Sequence, residues 1–303
     1  MFLYRIFGLT VAAELPLPGA IPLTQIPDAA DVQVRLRPVP EQLATPFAHG
    51  PVWQLDQRHF LLNLPGSGRF LASQGRTLDV EAQAAPEDIL PFVLGTGFAA
   101  LLYQRGGVVL HAATLERHGS GIAICGPSGA GKSTLAAALC QQGCRLVSDD
   151  MAALTLGSDL RPRVQPDGRC LKLFQSVVNR LGLTAGPMVR PGIDKHYVCP
   201  SATLAKPVRL DAVYVLRDKA KSQSLGIERL PPLGAAQMLL NQSYRRRLAL
   251  SMARHDPRSV DMRNAVMRQV PVFRFVRPRD MDQLTQTTAL VLDHWRHLVQ
   301  EQP

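Results

Sequence analysis

Residues 126–134 form a glycine-rich segment whose residue types and spacing are those of a phosphate-binding loop. The segment GPSGAGKST matches the Walker A pattern G-x-x-x-x-G-K-[ST] at every fixed position. A short apolar run, residues 121–125, precedes it and predicts a buried strand, while residues 135–139 are all leucine or alanine and predict a helix. Strand, loop and helix together favour a nucleotide site over a glycine turn that happens to precede a helix.

The residue types of this loop account chemically for phosphate binding. Glycines let the backbone direct several N–H groups toward phosphate oxygens, and the start of the following helix adds positive potential. Lys132 can reach the β- and γ-phosphates, and Ser133 can hold Mg²⁺. We expect nucleotide contacts from these residues of the loop: Gly126, Ser128, Gly129, Ala130, Gly131, Lys132, Ser133 and Thr134.

Two adjacent aspartates, Asp149 and Asp150, end the predicted strand 144–148, which follows the helix after the loop. Carboxylates at this place can bind Mg²⁺ or orient an attacking hydroxyl, two tasks that phosphoryl transfer leaves to protein side chains. An acidic turn is the alternative. The site is favoured because two neighbouring carboxylates at the end of an apolar strand require a partner such as a cation.

His111 and three basic residues are further candidates. His111 falls within the predicted strand 108–115, which forms a hairpin with the strand that enters the loop, so its side chain could hydrogen-bond a catalytic carboxylate. A packed or solvated histidine is an equally weighted alternative. Lys172, Arg190 and Lys195 could stabilise phosphate charge in the transition state, although a solvated side chain is the favoured interpretation for each one alone.

Composition restricts the class of protein. The chain has 303 residues and is 46% hydrophobic, with a mean hydropathy of 0.00 and no long apolar run, so we expect no membrane partner. The apolar start has only Arg5 before Glu14 and several prolines, and we predict no signal peptide. Five scattered cysteines without a C-x-x-C pair predict thiols in a reducing compartment, rather than zinc ligands or disulfides, and hence a cytoplasmic protein.

The positive net charge of +10 is concentrated late in the chain, in arginines between Arg245 and Arg279. A solvated helical face and an anion-binding surface explain these arginines about equally well. We expect no nucleic-acid partner, because no RNA- or DNA-binding motif accompanies them.

The chain divides by pattern into two parts. Residues 1–85 combine recurring prolines with short alternating runs and predict a small β-rich module without a visible catalytic constellation. Residues 86–303 alternate helical and strand patterns and predict an α/β catalytic domain. Beyond those already given, we predict strands at 151–156, 171–174, 208–217 and 271–276, and helices at 86–105, 175–183, 233–243, 246–255, 257–269 and 280–299.

The segment from His111 to Asp150 resembles the catalytic domain of the HPr kinase/phosphorylase family. That family has a histidine on a strand, a hairpin, a Walker A loop of the form G-x-S-G-x-G-K-S, a helix, and a strand that ends in Asp-Asp. This sequence supplies each feature in that order, closely over residues 111–150 and loosely to about residue 280. A phosphate loop alone would not predict the histidine or the aspartate pair.

The resemblance implies a phosphoenolpyruvate-carboxykinase-like P-loop fold, rather than a Ras- or RecA-like one, and ATP-dependent phosphorylation of a serine hydroxyl. It implies that Asp149 acts as the general base with help from His111, and that Lys132 stabilises the transferred phosphoryl group. Ser133 and Asp150 would bind Mg²⁺. A homo-oligomer is expected by the same comparison.

Two departures limit what carries over from the family. Its later glycine-rich segment, whose carboxylate is tied to phosphorylase activity, has no clear counterpart, and residues 171–183 contain no Asp or Glu, which argues against reverse phosphorolysis. The N-terminal module also differs. Its opening, residues 7–18, is similar to HPr kinase-like proteins encoded with peptide-modification systems, some of which, the lasso peptide kinases, phosphorylate a serine of a precursor peptide. We favour that branch, with a peptide or protein acceptor.

Two other functions could use the same donor site. A kinase for a small metabolite would share the phosphate loop and differ in its acceptor pocket, so it would work without a macromolecular acceptor. A nucleotide-sensing module would bind nucleotide without transferring phosphate. The presence of Asp149, Asp150 and His111 argues against the sensing module.

Overall fold

A β-rich module and a mixed α/β part make up the computed structural model, which describes residues 1–24, 29–190, 192–199, 204, 206–218, 224–253 and 256–300. This arrangement confirms the predicted fold class. Of the predicted helix 246–255, the last two residues lie outside the described ones. None of the described helices is long and apolar enough to cross a membrane.

The N-terminal module is, within the described residues, one eight-stranded sheet of order β1-β2-β3-β8-β7-β6-β5-β4. Strands β2, β3 and β8 are parallel and the other pairs antiparallel. The apolar start of the chain forms β1 and β2, with Ile6 and Val11 fully buried. The strands are β1 (Phe2–Ile6), β2 (Leu9–Ala13), β3 (Val32–Leu36), β4 (Ala48–Gly50), β5 (Trp53–Leu55), β6 (His59–Leu64), β7 (Gly68–Ser73) and β8 (Thr77–Ala82).

A helical segment covers one face of this sheet. It consists of α1 (Pro86–Phe92), a π-helical turn (Val93–Gly97) and α2 (Phe98–Gln104), so the predicted helix 86–105 is interrupted. Its apolar residues share one buried core with the sheet. The predicted boundary at residue 85 remains a prediction, because packing continues across it.

The second part contains a nine-stranded and a three-stranded sheet in the described portion of the chain. The large sheet comprises β9 (Val108–Leu110), β10 (Ala112–Arg117), β11 (Ser120–Cys125), β12 (Arg145–Ser148), β13 (Ala152–Leu156), β14 (Pro162–Gln165), β18 (Val208–Asp218), β19 (Gly226–Arg229) and β20 (Val272–Arg277). The small sheet comprises β15 (Leu171–Phe174), β16 (Met188–Arg190) and β17 (Ile193–Val198). The helices are α3 (Lys132–Gln141), α4 (Gln175–Arg180), α5 (Pro232–Asn241), α6 (Arg246–Ala253), α7 (Pro257–Gln269) and α8 (Leu284–Gln300).

The pairing of the large sheet determines where functional residues meet. Strands β11, β18 and β20 are parallel neighbours, so their carboxyl ends lie at one edge. Strand β10 is antiparallel to both β11 and β12, which places the end of β12 at that edge too. Helices α3 and α8 cover one face of the sheet, and α5 and α7 cover the other.

The predicted continuous strand 108–115 is wrong. The chain bends at His111, where β9 leaves to pair with β13 while β10 pairs with β11 and β12. The backbone N–H of His111 donates instead to the carbonyl of Gln242 (2.7 Å). His111 therefore lies at a junction between strands, where its side chain need not follow the alternation of either strand.

The cysteines depart from the expectation of five thiols. Cys170 and Cys199 form a disulfide, with their Cα atoms 4.4 Å apart, that joins the start of β15 to the end of β17. Cys125, Cys140 and Cys144 are free. Spacing alone could not reveal this pair, because the two residues meet only through the antiparallel pairing of β15 with β17.

Gly168 lies where the N-terminal module contacts the large sheet, and we expect its replacement to weaken that contact. Its φ is +63°, and an added Cβ would lie 2.1 Å from the carbonyl oxygen of Arg5. Gly168→Ala should lower the free energy of unfolding by ~1–3 kcal/mol more than Gly66→Ala, because overpacking adds to backbone strain. Gly66 is a matched control: its φ is +78°, and no described atom lies within 4 Å of the position that an added Cβ would take. Equal losses in urea denaturation would contradict the close contact.

Candidate active site

The phosphate loop lies at the carboxyl end of β11 and leads into α3. Gly126, Gly129 and Gly131 all have positive φ, at +151°, +74° and +81°. These conformations favour glycine and let consecutive amides face one side. The loop borders a cavity of about 320 Å³, whose described lining also includes His111, Asp150 and residues that follow β20.

Lys132 and His111 form a hydrogen-bonded pair beside the loop. Lys132 is 7% exposed, and its ammonium donates to the carbonyls of Gly126 (3.0 Å) and Pro127 (3.2 Å) and to Nε2 of His111 (2.9 Å). Because Nε2 accepts, the His111 proton lies on Nδ1, which donates to the carbonyl of Asp150 (3.0 Å). Burial and the charge of Lys132 lower the pKa of His111, so the neutral imidazole is favoured.

Asp149 faces inward, toward the first turn of α3. The residue is 5% exposed; its Oδ1 accepts a hydrogen bond from the hydroxyl of Ser133 (2.8 Å), and its Oδ2 accepts from the backbone N–H of Lys172 (3.2 Å). Burial and the neighbouring Asp150 charge raise the pKa of Asp149. The loop serine and the first aspartate are therefore directly joined.

Asp150 faces the cavity. Its backbone has a φ of +73°, and its side chain is 39% exposed, with Oδ1 3.4 Å from Nδ1 of His111. Burial acts to raise the pKa of Asp150, but the positive charges of Lys172, Arg169 and Lys132 outweigh it, and the pKa is lowered. Asp150 is thus an ionised carboxylate that a second substrate could reach.

The site suits a nucleotide with Mg²⁺. Ser133 and the two aspartates offer hard oxygen donors, the type Mg²⁺ prefers, and the start of α3 adds positive potential for phosphate. No group of three or more His, Cys, Asp or Glu residues converges on a point among the described residues. Such a site fits Mg²⁺, which commonly binds through one or two protein ligands together with phosphate oxygens and water.

The three basic candidates separate in space. Lys172 and Lys195 line the cavity, whereas Arg190, at the end of β16, is not part of its described lining. The Lys195 ammonium lies 4.7 Å from the centre of the Phe174 ring. The first two can therefore contribute positive charge near a bound phosphate.

Two further arginines contact the loop and were not predicted as site residues. Arg277 donates to the carbonyl of Ala130 and Arg279 to that of Gly129. Arg277 is 7% exposed, and burial lowers its pKa. The sequence did carry a signal, because Arg277 ends the strand β20 and Arg279 follows it, and the carboxyl end of β20 lies at the same edge as the loop.

Comparison with known proteins is consistent with this site. A sequence model of the AAA domain family matches residues 122–220. HPr kinase/phosphorylases from Stenotrophomonas maltophilia (strain K279a) and Xanthomonas campestris pv. campestris (strain B100) are each 40% identical over 76 residues, which cover 25% of this chain. The chain matches only 23% of the length of these relatives. The resemblance to the HPr kinase/phosphorylase family is thus confirmed for that stretch.

One solved structure was also aligned with this chain. The Hpr(Ser) kinase/phosphatase from Coxiella burnetii aligns with 63% of this chain and 97% of its own, at 15% identity and a TM-score of 0.34. The branch of lasso peptide kinases remains a prediction.

Arg277→Met should weaken ATP binding about tenfold, because a charged hydrogen bond that holds the loop carbonyl is lost. Isothermal titration with ATP would measure the change. Arg274→Met is the matched control, since Arg274 lies on the same strand but pairs with Glu228 at the surface. Equal affinity losses in the two variants would show that Arg277 does not act through the loop.

Proposed function

We propose that the chain is an ATP- and Mg²⁺-dependent kinase that transfers the γ-phosphate to a serine hydroxyl of a peptide or protein. The supporting observation is the hydrogen-bonded series from Lys132 through His111 to Asp150 at the mouth of the phosphate loop. A lysine that reaches phosphate and an ionised, accessible carboxylate then face one cavity. That is the arrangement phosphoryl transfer to a hydroxyl requires.

The acceptor of this proposal is a serine in a ribosomally synthesised precursor peptide of the lasso type. The support is the similarity of residues 7–18 to that branch of HPr kinase-like proteins, together with a cavity that is open to solvent beside Asp150. A homo-oligomer and a cytoplasmic location belong to the same proposal.

In the proposed reaction, the serine oxygen forms a bond to the γ-phosphorus as the bond from that phosphorus to the β–γ bridging oxygen breaks. The hydroxyl proton passes to an aspartate, and ADP leaves. Lys132 and the loop amides stabilise charge on the transferred group. Mg²⁺, held by Ser133 and an aspartate, would neutralise charge on the phosphates.

Two assignments of the general base and the metal ligand to the two aspartates follow from different observations. The family resemblance assigns the base to Asp149 and the metal to Asp150. The contacts favour the opposite assignment, because Asp149 is buried against Ser133, whereas the side chain of Asp150 is partly exposed to the cavity and contacts His111. We propose that Asp150 receives the proton and Asp149 helps Ser133 to hold Mg²⁺.

Incubation with γ-labelled ATP, Mg²⁺ and a lysate of the source cell should label a serine in a peptide or protein. Mass spectrometry would identify the acceptor. Lys132→Ala should abolish the label, because the lysine that contacts the transferred phosphate is lost. Label confined to small molecules would indicate a metabolite kinase, and bound nucleotide without transfer would indicate a sensing module.

Asparagine variants test the two aspartates separately. Asp150→Asn should lower kcat by ~10²–10⁴-fold with ATP affinity retained, because a general base is removed. Asp149→Asn should chiefly weaken the Mg²⁺-dependent part of ATP binding. Asp159→Asn, on the surface, is the control and should change neither. The reverse result for the two site variants would establish the assignment that the family resemblance implies.

A further inference from the structure

Residues 166–170 connect the N-terminal module to the active site. The backbone N–H of Gly8 donates to the carbonyl of Pro166 (3.2 Å), that of Ile21 to Gly168 (2.7 Å), and that of Cys170 to Gly19 (3.0 Å). The turn between β1 and β2 and the loop after β2 therefore hold this segment through its backbone.

The same segment holds the end of β12. The Asp167 side chain is 1% exposed and accepts from the backbone N–H of Asp149 (3.0 Å), while the Asp167 N–H donates to the carbonyl of Val147 (3.0 Å). A buried carboxylate thus fixes the backbone that carries the first active-site aspartate.

Arg169 contacts both parts at once. Its guanidinium, 5% exposed, donates to Asp167 Oδ2 (3.3 Å), to the carbonyl of Leu94 in the π-helical turn (3.2 Å) and to the carbonyl of Asp149 (3.4 Å). The same group lies 5.2 Å from the centre of the Phe7 ring, in the β1–β2 turn. One buried side chain therefore bridges the N-terminal module and Asp149.

The carbonyl of Asp149 belongs to the peptide bond that leads into Asp150. Asp150 has a φ of +73°, a conformation that a residue with a side chain keeps only when its surroundings enforce it. Arg169 binds the peptide before Asp150, and His111 binds the carbonyl after it. These two contacts hold the strained residue from both sides.

We propose that Asp167 and Arg169 are positioning residues, through which the N-terminal module holds Asp149 and Asp150 in the geometry needed for transfer. A buried ion pair adds little stability over apolar groups of similar volume. We therefore attribute to the Asp167–Arg169 pair an effect on conformation rather than on stability. The kcat measurement of this proposal rests on the proposed kinase function. The hydrogen-exchange measurement does not.

The test uses the full chain with Asp167→Asn and Arg169→Met combined. Removing both charges avoids leaving one of them buried without its partner. We expect kcat to fall about 10²-fold, because a small displacement of a catalytic group has an effect of that order. The affinity for ATP without Mg²⁺ and the midpoint of urea unfolding should change little, since neither side chain contacts the phosphate loop. Asp159→Asn with Arg163→Met, an exposed pair of the same residue types, is the matched control.

Hydrogen exchange supplies the readout that needs no activity. The double variant should speed exchange at least about tenfold in peptides that contain residues 147–151 and leave those from residues 126–134 unchanged. Phe7→Leu keeps both charges and removes the ring beside Arg169, so it should give a smaller change of the same kind. It also serves as the test if the double variant fails to fold.

Unchanged kcat together with unchanged exchange would overturn the proposal. A joint loss of kcat, of affinity for ATP without Mg²⁺ and of stability would also overturn it, since that pattern indicates a general structural role. If the parent chain transfers phosphate to no acceptor, the kinase proposal fails by itself. Exchange at residues 147–151 then decides the positioning role, with faster exchange supporting it and unchanged exchange refuting it.

Discussion

The buried carboxylate of Asp149 is the constraint on which the active site depends. A carboxylate removed from water needs hydrogen-bond donors for both oxygens. Ser133 supplies one from the first turn of α3, and the backbone of Lys172 supplies the other from β15. Satisfying one charge therefore fixes the phosphate loop, the end of β12 and the small sheet relative to one another. The inward direction of Asp149 also leaves Asp150 to face the cavity, through a backbone conformation that only supporting contacts maintain.

The parts of the site that could be predicted are those specified by consecutive residues. The glycine loop, the helix after it and the strand ending in Asp149 and Asp150 each follow from local pattern. The break at His111 could not be predicted, because it arises from the pairing of β9 with β13, a strand about 40 residues later in the chain. Nothing local marks Arg169 either, since it contacts Leu94 and the Phe7 ring, which lie far from it in the sequence. Pairing between distant segments, rather than propensity, decides these features.

The late arginines illustrate how composition can mislead. Neither a solvated face nor a single anion-binding surface describes them all. Arg277 and Arg279 bind carbonyls of the phosphate loop, whereas Arg274, on the same strand, pairs with Glu228 at the surface. Part of the net charge of +10 is therefore concentrated around one cavity, where two lysines add to it. Such a concentration of positive charge attracts polyanions such as a nucleoside triphosphate.

The free cysteines are buried or half-buried, which has a practical consequence for labelling. Cys125, directly before the loop, is fully buried, and burial raises the pKa of its thiol to about 12. Burial likewise raises the pKa of Cys140 to about 12 and that of Cys144 to about 11. Thiol reagents act on the thiolate, so these native side chains react slowly at neutral pH. A fluorophore attached to a cysteine introduced beside the cavity would therefore report on nucleotide binding against a low background.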